Sequence, residues 1–209
     1  MINFAIDESG RGCILNSLFM ACIENNPTII VKDSKILTKQ QIDRIYNQLI
    51  QVHPYYIYEI KAENIDQNNI NDLEIEGVKY FIKTIQDKYT DPSLKFTIII
   101  DKFSNKLDTM NINDSRFKIV SEYKADAKYP ICSAASIIAK YTRDYNLELL
   151  QSKIEFKFGS GYPADPRTRN YILHLLKETK LDDVNKSIYH IRTKWKTIDR
   201  IKIQQIQIQ

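Results

Sequence analysis

The sequence predicts an α/β protein built on a mixed central sheet. Three features lead there. Strand-like runs cluster in the first half of the chain, helical periodicity dominates the second half, and Leu94–Ile100 is almost continuously apolar before it ends at Asp101. That last pattern is the mark of a central strand buried on both faces with a polar residue at its exit. The 209 residues are 43% hydrophobic and 27% charged, with 5 Gly and 6 Pro, which excludes a disordered, collagen-like or linker-rich chain.

In chain order, Ile2–Ile6 reads as a short apolar strand ending in Asp7-Glu8, and Ile14–Ile23 as a second strand after a turn at Gly10 and Gly12. Thr38 with Gln41 forms a capping-box signature, and Ile42, Ile45, Tyr46 and Leu49 recur at helical spacing, so a helix is expected from about Lys39 to Gln51. Tyr55–Ile60 alternates as a strand does. Asn71 is then set to cap a helix with Leu73, Val78, Phe81, Ile82 and Ile85 on one stripe, where Gly77 marks a close contact. Phe117–Val120 is a further strand, and Pro130 suits the first position of a helix to about Gln151 whose opening residues Cys132-Ser133-Ala134-Ala135-Ser136 are unusually small. Gly159–Pro163 is a turn-rich loop, a last helix starts at Asp165 or Pro166 and runs to about Lys180, and Ile203–Gln209 reads as a frayed polar tail.

Several function classes fall away. Ile14–Ile23 and Phe96–Ile100 are too short to cross a bilayer, and Asp7 and Glu8 precede any signal-like apolar run, so the expectation is a soluble cytoplasmic or nuclear protein with no membrane partner. Cys13, Cys22 and Cys132 are odd in number and unclustered, which suggests neither a disulfide framework nor a zinc site. The net charge of +4 supports no particular partner, but Arg192, Lys194, Lys196, Arg200 and Lys202 crowd the 190–202 segment around Trp195, next to Tyr189. Such a segment is expected either to track backbone phosphates or to be held to the fold by Trp195.

Acidic residues stand where chemistry is expected. Asp7 and Glu8 end one strand, Asp101 ends another, and Asp126 precedes the small-residue helix. In α/β folds ligands sit outside strand ends. Carboxylates converging there repel unless divalent cations neutralise them, and hard oxygen ligands suit Mg²⁺ or Mn²⁺. The chemistry implied is two-metal phosphodiester hydrolysis. Successive strand residues face opposite ways, so Asp7 and Glu8 share one site only if the strand breaks there, a break that the glycines at positions 10 and 12 favour.

The run Asp7-Glu8-Ser9-Gly10-Arg11-Gly12 resembles the opening motif of ribonuclease HII, the type 2 ribonuclease H family. The likeness continues through Asp33-Ser34-Lys35, Ile65-Asp66, Asp101, Lys124-Ala125-Asp126-Ala127-Lys128-Tyr129-Pro130, Ser133-Ala134-Ala135-Ser136-Ile137, Thr142-Arg143-Asp144 and Gly159-Ser160-Gly161-Tyr162-Pro163. It covers nearly the whole chain and is closest in form to the archaeal and eukaryotic branch.

The resemblance implies a ribonuclease H-like fold: a five-stranded mixed sheet flanked by helices, with a helical C-terminal part. The corresponding domains are residues 1–158 and 159–209. It places the family's metal-binding and catalytic carboxylates on Asp7, Glu8, Asp101 and Asp126, holding two Mg²⁺ or Mn²⁺ ions. Gly10, Arg11 and Gly12 match the motif that reads a ribonucleotide 2′-hydroxyl, Tyr162 the ring that packs on the next deoxyribose, and Lys35 and Lys140 the lysines near the scissile phosphate. The implied activity is a monomeric endonuclease acting on RNA/DNA hybrids and on ribonucleotides embedded in duplex DNA. Cleavage is expected 5′ to the ribonucleotide, leaving 3′-hydroxyl and 5′-phosphate ends.

Asp144 is expected to pair with a nearby cation rather than bind metal. Cys13, Asn16 and Ser17 replace the family's usual proline and Gly-Pro residues, so the packing of this loop is the point of departure. The residues at 204–209 lack the paired aromatics of a sliding-clamp motif, and clamp binding is not expected. A non-catalytic binding subunit on the same fold has no use for four intact carboxylates facing phosphates. A phospho-receiver domain offers no role for Gly10-Arg11-Gly12.

Overall fold

The computed structural model describes residues 1–25, 31, 36–178 and 190–206, without the side chains of 177–178 and 202–206. Lys35 and Tyr189 lie outside the described residues. The chain divides into two compact units, each discontinuous in sequence: Met1–Ser9, Phe19–Glu59 and Asn69–Thr142 form the first, and Gly10–Leu18, Ile60–Asn68 and Arg143–Gln209 the second.

The first unit carries a five-stranded mixed sheet. Its strands are β1 (Ile2–Ser9), β2 (Leu18–Glu24), β3 (Tyr55–Ile60), β4 (Phe96–Asp101) and β5 (Phe117–Glu122), in the order β3-β2-β1-β4-β5. β1 runs antiparallel to β2 and parallel to β4, which runs parallel to β5. One sheet face meets α1 (Lys39–Val52) and α5 (Pro130–Gln151). Ala5, Ala21 and Ile23 pack there with Ile42, Leu49, Ile131, Ala134, Ala135 and Ile138. The small residues at the start of α5 are what let helix and sheet approach closely. On the other face, α3 (Ile70–Lys88) buries Leu73, Val78, Phe81, Ile82 and Ile85. A Cβ built on its Gly77 would lie 2.5 Å from the Met20 sulfur, so the close contact expected of this glycine is present.

The capping box at Thr38 is formed, with Gln41 N donating to Thr38 Oγ1 and Thr38 N donating to Gln41 Oε1. α3 is capped by Asn69 rather than Asn71, because the Asn69 side chain accepts from Asn71 N and starts the helix two residues earlier.

The second unit gathers α2 (Ala62–Gln67), α6 (Pro166–Glu178) and α7 (Lys196–Ile206) with the 10–18 segment. Its core includes Ile14, Leu15, Phe158, Tyr171, Ile172, Ile191 and Ile198. The expected strand over Ile14–Ile23 is therefore two things. Only Leu18–Glu24 joins the sheet, while Asn16 takes a left-handed backbone (φ 87°) and Leu15 forms an isolated bridge with Ile191. Asn is one of the few residues with a side chain that adopts this conformation readily. Of the tail expected over Ile203–Gln209, residues 203–206 belong to α7, and 207–209 lie outside the described residues. Among the described residues no helix is long and apolar enough to cross a membrane.

Candidate metal centre and glycine loop

β1 and β4 are parallel and in register up to Ile6 and Ile100, so the next residues, Asp7 and Asp101, leave the two strands side by side on the same face. That face is the one covered by α5, and the Ser136 hydroxyl of α5 donates to Asp7. Asp126 arrives from α4 (Ala125–Lys128), a single turn entered through Lys124, whose backbone is left-handed (φ 58°, ψ 37°). Ala125 N donates to Asp101 Oδ1 at 2.9 Å and ties the start of α4 to the end of β4. Carboxylate oxygens of Asp7, Asp101 and Asp126 consequently all lie within 4.8 Å of one another.

The electrostatics are those of crowded acids. Burial pushes the Asp7 carboxyl well above the usual carboxylate range, and the charges of Glu8 and Asp101 push it further. The Glu8 amide, which donates to Asp7 Oδ1 at 2.7 Å, and the Ser136 hydroxyl act in the opposite direction. Cys132, deep under the same face, has its thiol pushed up by burial and then by Asp7, Asp101 and Asp126, so it stays protonated. Three hard oxygen donors with mutual repulsion fit Mg²⁺ or Mn²⁺, which supply the missing positive charge and prefer such ligands.

Glu8 sits differently. β1 does not break at Asp7; it continues to Ser9, and Glu8 pairs across from Met20. Alternation therefore turns it to the pleat opposite Asp7, and it is not one of the three residues brought within 4.8 Å. Lys140 is half-buried on α5, one turn beyond Ser136 and on the same helical face. Asp144, in the second unit, is ion-paired with Arg143.

Within the second unit, the 10–17 loop is held from three sides. Ile14 N and Leu15 N donate to Gly161 O at 2.9 and 3.3 Å, Asn16 Nδ2 donates to Arg143 O at 3.3 Å, and Asn16 N donates to His190 O at 2.7 Å. Gly10 has φ +96°, and a Cβ there would lie 3.0 Å from Ser17 O, so only glycine fits the turn. Gly12 is different: it is exposed, and a Cβ would meet the Tyr162 ring at an ordinary 3.5 Å. Tyr162 thus lies directly beside Gly12, with the Arg143 guanidinium 5.1 Å from its ring centre. Burial, with Cys13 alongside, pushes the Tyr162 phenol up to about 12. Cys13 and Asn16, the departures noted in the sequence, are both built into this packing, Cys13 against Arg143 and Tyr162 and Asn16 as the left-handed hinge.

One expectation is corrected. Arg192 does not track phosphates: it is fully buried, its guanidinium donating to the backbone oxygens of Gly10, Arg11 and Asn16 and lying 4.9 Å from the centre of the Trp195 ring. Lys194, Lys196 and Arg200 are exposed. Asp66, quoted above without a role, is buried and accepts from Thr193 N, Thr193 Oγ1 and Lys194 N. An apolar residue just before Arg192 and Trp195 just after it were the available signals that this cation turns inward.

The family model described as Ribonuclease HII matches residues 4–198. A Ribonuclease HII of Thermococcus sibiricus is 33% identical, covering 94% of this chain and 89% of that protein. The Ribonuclease HII of Methanocaldococcus jannaschii is 35% identical, covering 96% and 95%. Among solved structures, the RNase HII of Archaeoglobus fulgidus, determined in complex with PCNA, matches with a TM-score of 0.79 and 26% identity over 96% of each chain.

Proposed function

The chain belongs to the ribonuclease HII family, metal-dependent endoribonucleases, and on that premise we propose that it cuts the RNA strand of RNA/DNA hybrids and ribonucleotides embedded in duplex DNA. We place the cut 5′ to the ribonucleotide, leaving 3′-hydroxyl and 5′-phosphate ends. The observation that carries this reading is the convergence of Asp7, Asp101 and Asp126 within 4.8 Å at the ends of adjacent strands.

In this reading Asp7, Asp101 and Asp126 would hold two Mg²⁺ or Mn²⁺ ions, and Glu8 would join them as the fourth carboxylate by turning its side chain from the opposite pleat when the ions bind. When bound, the ions supply activation of the attacking water and stabilisation of the leaving oxygen. The protein's own part is orientation: the Ser136 hydroxyl and the Glu8 amide fix the Asp7 carboxylate, and the Ala125 amide fixes that of Asp101. Lys140 offers a point charge to a phosphate oxygen from the same helical face as Ser136, a role proposed for Lys35 as well.

Sugar recognition falls to the second unit. Gly10, Arg11 and Gly12 contact the 2′-hydroxyl, since an exposed glycine lets backbone approach a ribose closely, and Tyr162 packs on a deoxyribose that has no hydroxyl to exclude. A duplex with one embedded ribonucleotide, incubated with and without Mg²⁺, tests the reading through its product ends. Metal-dependent cleavage to 3′-hydroxyl and 5′-phosphate ends is expected. Products ending in 2′,3′-cyclic phosphate overturn it, because the 2′-hydroxyl would then be the nucleophile and no water would need activating.

A further inference from the structure

Arg192 is a fully buried cation whose guanidinium donates to three backbone oxygens. Its Nη1 donates to Arg11 O at 2.7 Å, and its Nη2 to Gly10 O at 2.7 Å and to Asn16 O at 3.3 Å. A guanidinium is a rigid planar fork, suited to fixing several acceptors at once, and its burial is costly unless its donors are used. Two of the three carbonyls it holds, those of Gly10 and Arg11, belong to consecutive peptide planes. There is no cis bond among the described residues, and in a trans peptide the N–H points opposite to the C=O. With the carbonyls of Gly10 and Arg11 turned in to the guanidinium, the N–H groups of Arg11 and Gly12 turn the other way, at the point where Gly12 is exposed.

Arg192 is itself held in place. Its backbone N donates to Ile14 O at 2.9 Å, and Asn16 N donates to His190 O at 2.7 Å. Just beyond it, the buried Asp66 accepts from Thr193 N and Thr193 Oγ1, both at 2.7 Å, and from Lys194 N at 3.2 Å. The chain of contacts runs from Asp66 through Thr193 to Arg192 and then to the loop, all within the second unit.

We propose that Arg192 is a positioning residue for ribose recognition: anchored through Thr193 by Asp66, its guanidinium locks two consecutive peptide planes so that the amides of Arg11 and Gly12 are presented together as donors to a 2′-hydroxyl. This deepens the reading that the 10–12 loop contacts the ribose and rests on it. A hydroxyl oxygen accepts such donors and a deoxyribose carbon does not, so the device discriminates by leaving polar groups unpaired on the wrong sugar.

The test compares the full-length parent with Arg192→Lys and Gly12→Ala. Lysine keeps the charge but loses the fork. On a duplex with one embedded ribonucleotide, Arg192→Lys is expected to lose about 10- to 100-fold in kcat/KM, as displaced substrate geometry does. Its half-saturating Mg²⁺ and its affinity for the all-DNA duplex of the same sequence stay within about twofold of the parent, and the ¹⁵N amide signals of Arg11 and Gly12 move while that of Ile6 does not. A rate within about twofold of the parent overturns the proposal, as does a loss matched by an equal change in Mg²⁺ dependence or all-DNA affinity, which is a general structural effect.

Gly12→Ala separates this proposal from the reading beneath it, because the fold accepts the methyl group. Lost cleavage in Gly12→Ala with none in Arg192→Lys leaves the loop reading standing and removes Arg192 from it. No change in either variant removes the loop reading itself. Should Arg192→Lys fail to fold, Thr193→Val removes one bond to Asp66. A loss of about 2- to 5-fold with unchanged Mg²⁺ dependence then supports the proposal, and an unchanged rate overturns it.

Discussion

Asp101→Asn removes one negative charge from the three-carboxylate group and keeps the oxygen that accepts the Ala125 amide. Two unit charges 4.8 Å apart interact by about 3.5 kcal/mol at an effective dielectric near 20. Burial already drives the Asp7 carboxyl toward its neutral form, so part of that repulsion is relaxed in the parent. The expected gain for the metal-free variant is therefore about 1–2 kcal/mol, or roughly 2–8 °C in melting temperature for a chain of this length. Adding Mg²⁺ should reverse the order. A ligand at 100 times its Kd stabilises the parent by about 2.7 kcal/mol, whereas a site short of one carboxylate gains much less. Thermal melts of both proteins in EDTA and at saturating Mg²⁺ measure the two effects. A variant that is less stable than the parent in EDTA, or that responds equally to Mg²⁺, refutes the reasoning.

Three further outcomes follow from the same geometry. Tyr162→Ala should slow cleavage at a single embedded ribonucleotide more than cleavage of a long uniform hybrid, because only the first substrate depends on the ring to set register; an unchanged ratio of the two rates makes Tyr162 a packing residue. Asp144→Asn should weaken the ion pair with buried Arg143 and cost about 1–2 kcal/mol, while leaving kcat on either substrate unaltered; lost turnover at an unchanged melting temperature would place Asp144 in the chemistry. Asp165 is held well below the usual carboxylate range, chiefly by Arg167 and also by the Ser160 and Arg167 amides. Its stabilising effect is present above the unfolded value near 3.9 and is lost as pH falls below it, so Asp165→Asn should flatten the fall in stability of the parent across that acid range, as urea melts against pH will show.

What the sequence made legible was whatever has a local signature. The apolar runs that end in Asp7 and Asp101 announced strands with acids at their exits, and the Thr38 capping box and the small residues of α5 were equally plain. The alternation rule showed that Glu8 joins Asp7 only at a break in β1, but Gly10 and Gly12 were misleading as signs of that break, since β1 continues to Ser9. The run Ile14–Ile23 misled because its divider is Asn16, a left-handed residue without the punctuation a glycine provides. Helix α2 is too short to show a period. Arg192 was illegible for a deeper reason: its partners are carbonyls, and backbone acceptors leave no trace in the order of side chains. The same holds for Asp66, two of whose three donors are backbone amides.

The carboxylates gathered at the ends of β1 and β4 are proposed to hold the ions that drive hydrolysis, and everything else in the mechanism depends on that role. It is tested most directly by Asp126→Asn, with cleavage and binding measured on one duplex containing a single ribonucleotide at saturating Mg²⁺. The expected result is loss of turnover by about 10³-fold or more, with affinity for the duplex equal to the parent's or tighter, because one phosphate-facing negative charge has gone. Cleavage by Asp126→Asn near the parent's rate would contradict the account.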